Sequence, residues 1–297
     1  MEPLSVADND PIGFIGAGIM GRGMVQNLLK SGSAVHVIAH RNRQPIDELV
    51  GMGAIESLSL ETMANSCSKI ILCLPNSETV KSVVEELMLH MPKRSLIIDC
   101  STNEVETVKN LYDAARRVGV RFAEAPLTGG QQQAIDASLG AIVGCGADDF
   151  DNVRVILAPC CARIEHLGAV GMGATTKLIS NFLALGTATL VVESMKAANL
   201  LGIDWEKFYH LAAQGSGHSM SLDRIAPRAI EGSHDGYVFT IENTLKDLGY
   251  ICDLLPETSD AHKLAENMLS LYREAFEKGM GSKFLSARLD PKSYEAN

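Results

Sequence analysis

The sequence lacks an excess of positive charge. Its 297 residues include 26 lysines and arginines against 36 aspartates and glutamates, a formal net charge of −10. Nucleic acids and anionic membranes repel a protein of this charge, so we expect neither as a partner. The first residues, MEPLSVADNDPIG, also lack the basic and apolar regions of a secretory signal. We therefore expect a cytoplasmic location.

Cysteine spacings typical of metal sites are missing as well. The seven cysteines are an odd number, and Cys160 and Cys161 are adjacent instead of being separated by two residues. This usage favours reduced thiols and predicts no metal. The sequence has no internal repeat or low-complexity segment, and its length is that of one large or two ordinary domains.

The uncharged runs are short. The longest helix-like stretch lies between Gly168 and Gly202, and its uncharged part is the 15 residues from Leu178 to Val192. A membrane span needs about 20 residues, and apolar residues cover most of the predicted helix surface, so we predict a buried core helix. Lys177 and Asn181 are four residues apart and lie on one face of it. A lysine and an amide on a buried helix indicate contact with a substrate.

Strand-like and helix-like segments alternate over about the first 165 residues. Predicted strands cover 12–15, 34–39, 69–74, 95–99, 120–125, 140–145 and 162–166, with helices over 19–30, 79–89 and 105–118 among them. This alternation predicts a largely parallel, doubly wound sheet. The later segments, 205–213, 221–231, 240–255 and 259–278, all read as helices. We predict an α/β protein with a Rossmann-type sheet domain over 1–167 and an all-helical domain over 168–297.

A glycine-rich turn follows the first predicted strand and opens the first predicted helix. Its Gly16, Gly18 and Gly21 form the pattern G-x-G-x-x-G. Such a turn lets the backbone approach a pyrophosphate, which the helix N-terminus then faces. In this context the pattern predicts a dinucleotide site.

The end of the second predicted strand bears on the choice of dinucleotide. An NAD site usually has a carboxylate here for the ribose 2′-hydroxyl, whereas this sequence reads His40-Arg41-Asn42-Arg43. The arginines suit a 2′-phosphate, so we expect NADP, with NAD possible. The alternative is a solvated basic turn.

Further polar and glycine residues follow other strands, where doubly wound sheets bind their ligands. They are Pro75, Ser101, Thr102, Thr128, Gly129 and Gly130.

Five separated motifs resemble those of the β-hydroxyacid dehydrogenase family, which includes 3-hydroxyisobutyrate dehydrogenase and tartronate semialdehyde reductase. They occur in the family's order and span nearly the whole chain. The motifs are FIGAGIMGRGMVQNL from Phe14, IDCST from Ile98, APLTGG from Ala125, GAVGMGATTKLISN from Gly168, and Phe239 followed by Leu245-Lys246-Asp247-Leu248.

The resemblance implies hydride transfer between the cofactor and a small hydroxy acid. Lys177 is then the general acid–base and Asn181 orients substrate oxygens, with Lys177 facing a cleft between the domains. The implied substrate-binding residues are Ser101, Thr128, Gly129, Gly130 and Lys246. The implied cofactor-binding residues are Gly16, Ala17, Gly18, Ile19, Met20, Gly21, His40, Arg41, Asn42, Leu74, Pro75, Thr102 and Lys246. Apolar faces of the helical domain predict a homodimer or homotetramer.

Three positions depart from the family pattern: Thr128 replaces a serine, Gln133 a glycine and Ser180 an asparagine. These departures leave the substrate open. Two other functions are alternatives: an imine reductase of the same fold, against which Lys177 counts, and a non-catalytic NADP-binding sensor or scaffold, against which Lys177 and Asn181 count.

Overall fold

The computed structural model describes residues 10–40 and 42–291. Arg41, predicted to bind the cofactor, lies outside the described residues. The chain divides into two compact units, Met1–Lys177 and Leu178–Asn297.

The first unit is built on one sheet of nine strands, in the order β3-β2-β1-β4-β5-β6-β8-β7, with β9 paired to β8. Neighbours from β3 through β6 are parallel, whereas β8 runs antiparallel to β6 and β7. The strands are β1 Ile12–Ile15, β2 Val35–Val37, β3 Ile55–Glu56, β4 Lys69–Leu72, β5 Leu96–Asp99, β6 Arg121–Glu124, β7 Leu127–Thr128, β8 Leu139–Gly144 and β9 Cys161–Gly168. The predicted doubly wound, Rossmann-type sheet is confirmed.

Seven helices connect these strands: α1 Ile19–Lys30, α2 Gln44–Gly51, α3 Leu60–Ser66, α4 Ser77–His90, α5 Val105–Val118, α6 Gln131–Ile135 and α7 Ala147–Leu157. The sequence predicted α1 and α5 with these same bounds. α5 ends at Val118 because Gly119, the next residue, has φ 83°, in the left-handed region that ends helices.

Apolar side chains cover both faces of the sheet. Along β4, Ile71 packs into one core cluster, while Ile70 and Leu72 pack into the other. Successive strand residues point to opposite faces, so an apolar run such as this fits a strand buried on both sides. Two cores, one on each face, therefore hold the strands of the sheet.

The second unit is helical in its described part. Its helices are the remainder of α8 Met172–Leu200, which begins in the first unit, then α9 Trp205–Ala212, α10 Met220–Ile230, α11 Ile241–Leu254 and α12 Asp260–Ala275. A π-helical turn, Phe276–Met280, and a 3-10 turn, Leu285–Leu289, follow.

The prediction that α8 is buried nearly all round is wrong. Leu178 and Leu185 are buried, but Leu183 is 73% and Leu190 is 70% exposed. The described residues therefore leave part of the apolar surface of α8 exposed. By length and composition alone, α8 could cross a membrane, although 39% of its most apolar window is buried in the structure.

Candidate active site

The glycine-rich turn between β1 and α1 has a distinct requirement at each glycine. Gly16 has φ 102°, and a Cβ there would meet the Cys73 carbonyl group. A Cβ on Gly21 would lie 2.8 Å from the Phe14 ring and nearer still to the Gly16 carbonyl oxygen. A Cβ on Gly18, by contrast, would have no atom within 4 Å. The outer glycines thus allow the turn and the packing, and the middle one leaves open space for a ligand.

The N-terminus of α1 fits a dinucleotide pyrophosphate. Gly18 is its N-cap, with no side-chain hydrogen bond to the first turn and no acidic residue there. Ile19 is 68% exposed at the same place, and Ala17 and Met20 are half-buried beside it. Amide groups of an uncapped helix start, together with the helix dipole, attract phosphate.

The end of β2 leads into an exposed loop that holds His40 and Asn42. The neighbouring Arg43 is bound by two carboxylates: its guanidinium donates to Glu56 at 2.8 and 2.7 Å and pairs with Asp47 at 3.0 Å. Arg43 is therefore already engaged within the protein, and the NADP prediction rests mainly on Arg41.

A buried carboxylate, Asp99, organises the loops after β4 and β5. It accepts the Ser101 amide at 3.0 Å and the Asn103 side chain at 2.5 Å, and the Ser101 hydroxyl accepts the Leu74 amide at 2.8 Å. Burial raises the pKa of Asp99 to about 6, which the hydrogen bonds from Ser101 and Asn103 partly oppose. Ser101 is itself buried and joins the two loops. Pro75 and Thr102 lie in the same two loops.

In the loop after β7, one backbone amide that was predicted to bind substrate already has a hydrogen-bond partner within the protein. The Gly130 amide, predicted to bind a substrate carboxylate, donates to Gln133 Oε1 at 2.9 Å. Gly129 has φ 108°, and Gln133 packs over it. Gln133, which replaces the family's usual glycine, thus accepts the hydrogen bond that the Gly130 amide was predicted to donate to a substrate carboxylate.

Thr128 lies at the edge of the sheet. It pairs with Gly140 of β8 and borders an open cleft of about 320 Å³ with Arg163, His166 and Thr176. Of the other predicted substrate residues, none lines this cleft within the described part of the chain.

Another buried carboxylate, Glu124, meets the start of α8. Its Oε1 accepts the Gly171 amide at 2.5 Å and the Gly173 amide at 2.9 Å, and its Oε2 accepts the Ala174 amide at 2.9 Å. Burial raises its pKa to about 7, and the three amides oppose that rise. Lys177 follows one turn later and is half-buried.

In the second unit, Asn181 is held by Asp247. The Asn181 Nδ2 donates to Asp247 Oδ2 at 2.6 Å, and Lys246 Nζ lies 3.0 Å from Asp247 Oδ1. Lys246 also lies over the Tyr250 ring, 5.4 Å from its centroid. Asp247 is 1% exposed, so its pair with Lys246 is not an exposed surface ion pair. Because a carboxylate only accepts hydrogen bonds, the contact turns the Asn181 carbonyl oxygen away from Asp247.

Sequence reasoning missed the roles of Asp99, Glu124 and Asp247. A signal for Glu124 was present: the segment Gly168–Gly173 contains no serine, threonine, aspartate or asparagine that could cap α8. A buried helix start without a local cap requires an acceptor from elsewhere in the chain.

Comparisons with known proteins agree with this geometry. Residues 11–168 match the NAD binding domain of 6-phosphogluconate dehydrogenase, and residues 171–289 match the domain described as NAD-binding of NADP-dependent 3-hydroxyisobutyrate dehydrogenase. The mitochondrial 3-hydroxyisobutyrate dehydrogenase of Drosophila melanogaster is 28% identical over 286 residues, 94% of this chain and 88% of that protein.

Solved structures share the fold. A Mycobacterium tuberculosis 3-hydroxyisobutyrate dehydrogenase with L-serine has a TM-score of 0.84 at 22% identity, covering 97% of this chain and 99% of its own. An imine reductase from Myxococcus stipitatus in complex with NADP+ has a TM-score of 0.63 at 18% identity, covering 94% and 98%.

The Rossmann-type sheet, the open glycine turn and the domain matches together define an NAD(P)-binding oxidoreductase. The chain belongs to the β-hydroxyacid dehydrogenase family, as a relative of 3-hydroxyisobutyrate dehydrogenase. The predicted family, fold class and cofactor type are confirmed, and a small hydroxy acid is consistent with that family.

Proposed function

We propose that the protein transfers hydride between NADP and a small β-hydroxy acid or its semialdehyde. The observation that carries this proposal is the placement of Lys177 and Asn181 one turn apart on α8, with the Asn181 amide oriented by Asp247 at 2.6 Å. NADPH supplies the hydride when it is bound.

Lys177 acts as the general acid–base. In the reducing direction, its ammonium group donates a proton to the carbonyl oxygen of the substrate as the hydride reaches the carbon. In the oxidising direction, the amine takes the proton back from the hydroxyl. Asn181 presents its carbonyl oxygen to a substrate hydroxyl, because its amino group is engaged by Asp247.

The substrate carboxylate is bound by Thr128 and the Gly129 amide, with Ser101 shaping the adjacent loop. The Gly130 amide contributes only if Gln133 releases it, because it already has an acceptor in that side chain. Lys246 of the second unit is proposed to assist with the substrate carboxylate or the cofactor. His40, Arg41 and Asn42 favour NADP over NAD, since the sequence that follows β2 has no carboxylate before Asp47.

We further propose a cytoplasmic homodimer or homotetramer built through the helical unit. Ile179, Leu183 and Leu190 on α8 are exposed apolar residues, which supports burial in an assembly. A monomeric mass by light scattering at micromolar concentration contradicts this proposal.

A cofactor-oxidation screen tests the function. The purified protein is mixed with NADPH or NADH and with tartronate, methylmalonate or succinate semialdehyde, and a cyclic imine forms a separate arm. We expect oxidation with at least one semialdehyde and a higher kcat/KM with NADPH than with NADH. Turnover confined to the imine supports the imine-reductase alternative, and NADPH binding without any turnover supports the sensor.

A further inference from the structure

Glu124 joins the sheet to the helix that carries Lys177. It is the last residue of β6, is 1% exposed, and accepts hydrogen bonds from three amides at the start of α8. None of the predicted substrate or cofactor contacts uses this carboxylate. Its partners are all backbone groups, so its effect is on the path of the chain.

The neighbouring glycines make room for this carboxylate. A Cβ on Gly144 would lie 3.0 Å from Glu124 Cδ and nearer still to Oε1, and a Cβ on Gly173 would lie 3.1 Å from Cδ. Real Cβ atoms essentially never come as close as the Gly144 position would to Oε1, and the Gly173 distance is tighter than nine in ten real Cβ contacts. Gly144 of β8 and Gly173 of α8 therefore enclose the Glu124 side chain. Glu124 precedes Gly171, whose amide it accepts, by 47 residues in the sequence.

The same strand leads directly to the proposed substrate loop. Glu124 is followed by Ala125 and Pro126, and then by β7 with Thr128. Its carboxylate thus ties the first turn of α8 to the strand that carries the substrate loop. Ala174, the last of the three bound amides, is three residues before Lys177, which places the lysine within the next turn.

We propose that Glu124 is a positioning residue for Lys177, which it places by fixing the first turn of α8. This inference rests on the proposed acid–base role of Lys177. A misplacement of a catalytic group by about 1 Å can lower the rate about 10²-fold. A shift of this turn should therefore lower turnover, although Glu124 itself does not contact the substrate.

A helix cap with no link to the site gives the matched control. Ser59 is half-buried and caps α3 by accepting the Thr62 amide at 3.0 Å. Ser59→Ala removes a cap from α3, a helix that contains no proposed site residue. It therefore reports the effect of losing a helix cap alone.

The test is a double-mutant cycle with Glu124→Gln, Lys177→Met and the double variant. Glutamine keeps the size of the side chain but turns an N–H group towards amides that need an acceptor. We expect Glu124→Gln to lower kcat by about 10- to 100-fold while the Kd for NADPH stays within about twofold. Ser59→Ala should lower the melting temperature without changing kcat.

The decisive result is the double variant. If Glu124 acts through Lys177, the double variant turns over within about twofold of Lys177→Met, because the group being positioned is already gone. Losses that multiply overturn the proposal, since they show damage independent of Lys177. A normal kcat in Glu124→Gln overturns it too.

Failure of the proposed function leaves a different pattern. Near-normal turnover in Lys177→Met refutes the acid–base role, whereas slow Lys177→Met with normal Glu124→Gln refutes positioning alone. If Glu124→Gln does not bind NADPH, Glu124→Asp replaces it in the cycle. If that variant also fails to bind NADPH, Glu124 is required for folding and the positioning proposal is overturned.

Discussion

Glu124 in the first unit and Asp247 in the second are both buried carboxylates, but Glu124 binds backbone amides whereas Asp247 binds side chains. Glu124 accepts three backbone amides of α8. Asp247 accepts the Asn181 side chain and pairs with Lys246. The first fixes where the helix runs, and the second fixes how one amide on that helix is turned. Two glycines enclose the carboxylate that binds backbone, whereas the one that binds side chains has an amide and an ammonium group as partners.

This difference predicts different kinetic consequences. A change at Glu124 moves the backbone and every residue that follows in the same turn, so it should appear in turnover. A change at Asp247 alters how Asn181 and Lys246 are held. In the proposed mechanism these side chains contact the ground state as well as the transition state, so the change should appear in the Michaelis constant.

The largest effect is expected for Gly144→Ala. The added Cβ overlaps the Glu124 carboxylate, which must leave its amides or force the strand apart. Overpacking and unpaired buried amides together should lower the free energy of unfolding by about 4 kcal/mol. Denaturant unfolding measures it. Gly146→Ala is the control, because its Cβ would lie 3.7 Å from its nearest neighbour, Asp149 Oδ2. Equal stability of the two variants would mean that the pocket around Glu124 is not tight.

The pH dependence of stability is the next largest expected effect. Burial raises the pKa of Glu124 from 4.5 to about 7 and that of Asp99 from 3.8 to about 6. The folded protein therefore holds these protons more tightly than the unfolded chain. The stabilisation is complete below the unfolded values and is lost as the pH rises through 6 and 7.

We expect the free energy of unfolding to fall between pH 5 and pH 8, with Glu124 contributing on the order of 3 kcal/mol. The charged or titratable groups that face Glu124 are Asp99 on β5 and Cys145 at the end of β8. Glu124→Gln should remove its share of the slope, and Asp99→Asn should leave most of that share in place, because burial raises the pKa of Glu124 more than the Asp99 charge does. An unchanged slope in Glu124→Gln would assign the pH dependence elsewhere.

A smaller effect is expected for Asp247→Asn. The amide keeps an acceptor for Asn181 but removes the charge beside Lys246, whose side chain is 21% exposed and thus partly screened. We expect a loss of about 1–2 kcal/mol in stability. Initial-rate kinetics should show about a tenfold rise in the Michaelis constant for the acid, with a lesser change in kcat. Asp235→Asn, which breaks an exposed pair with Arg228, is the control and should leave both kinetic constants unchanged. A fall in kcat with no change in the Michaelis constant would contradict the predicted difference between Glu124 and Asp247.

Much of the first unit could be predicted from sequence because its signals are local. The strand–glycine–helix pattern located β1 and α1, and Gly119 marked the end of α5. The sequence predicts no helix or strand from Gln44 to Ser66, although the structure has α2, β3 and α3 there. β3 has only two residues, too few for a period-2 pattern to be recognised.

The contacts that organise the site could not be predicted in the same way. Glu124 and Gly171 are 47 residues apart, and Asn181 and Asp247 are 66 apart. Such pairs follow from the topology of the sheet and the helices, not from any spacing in the sequence. The burial of α8 was overestimated for a related reason: apolar composition alone cannot show which side of a helix another element covers.

Single-turnover oxidation of NADPH by Lys177→Met tests the central claim most directly. Methionine keeps much of the length of the side chain and removes the proton donor, so the rate with an accepted semialdehyde should fall by roughly 10²–10⁴-fold. The Kd for NADPH should change little, because the proposed phosphate site is the glycine turn between β1 and α1. A near-normal rate in this variant would show that Lys177 is structural and would contradict the mechanism.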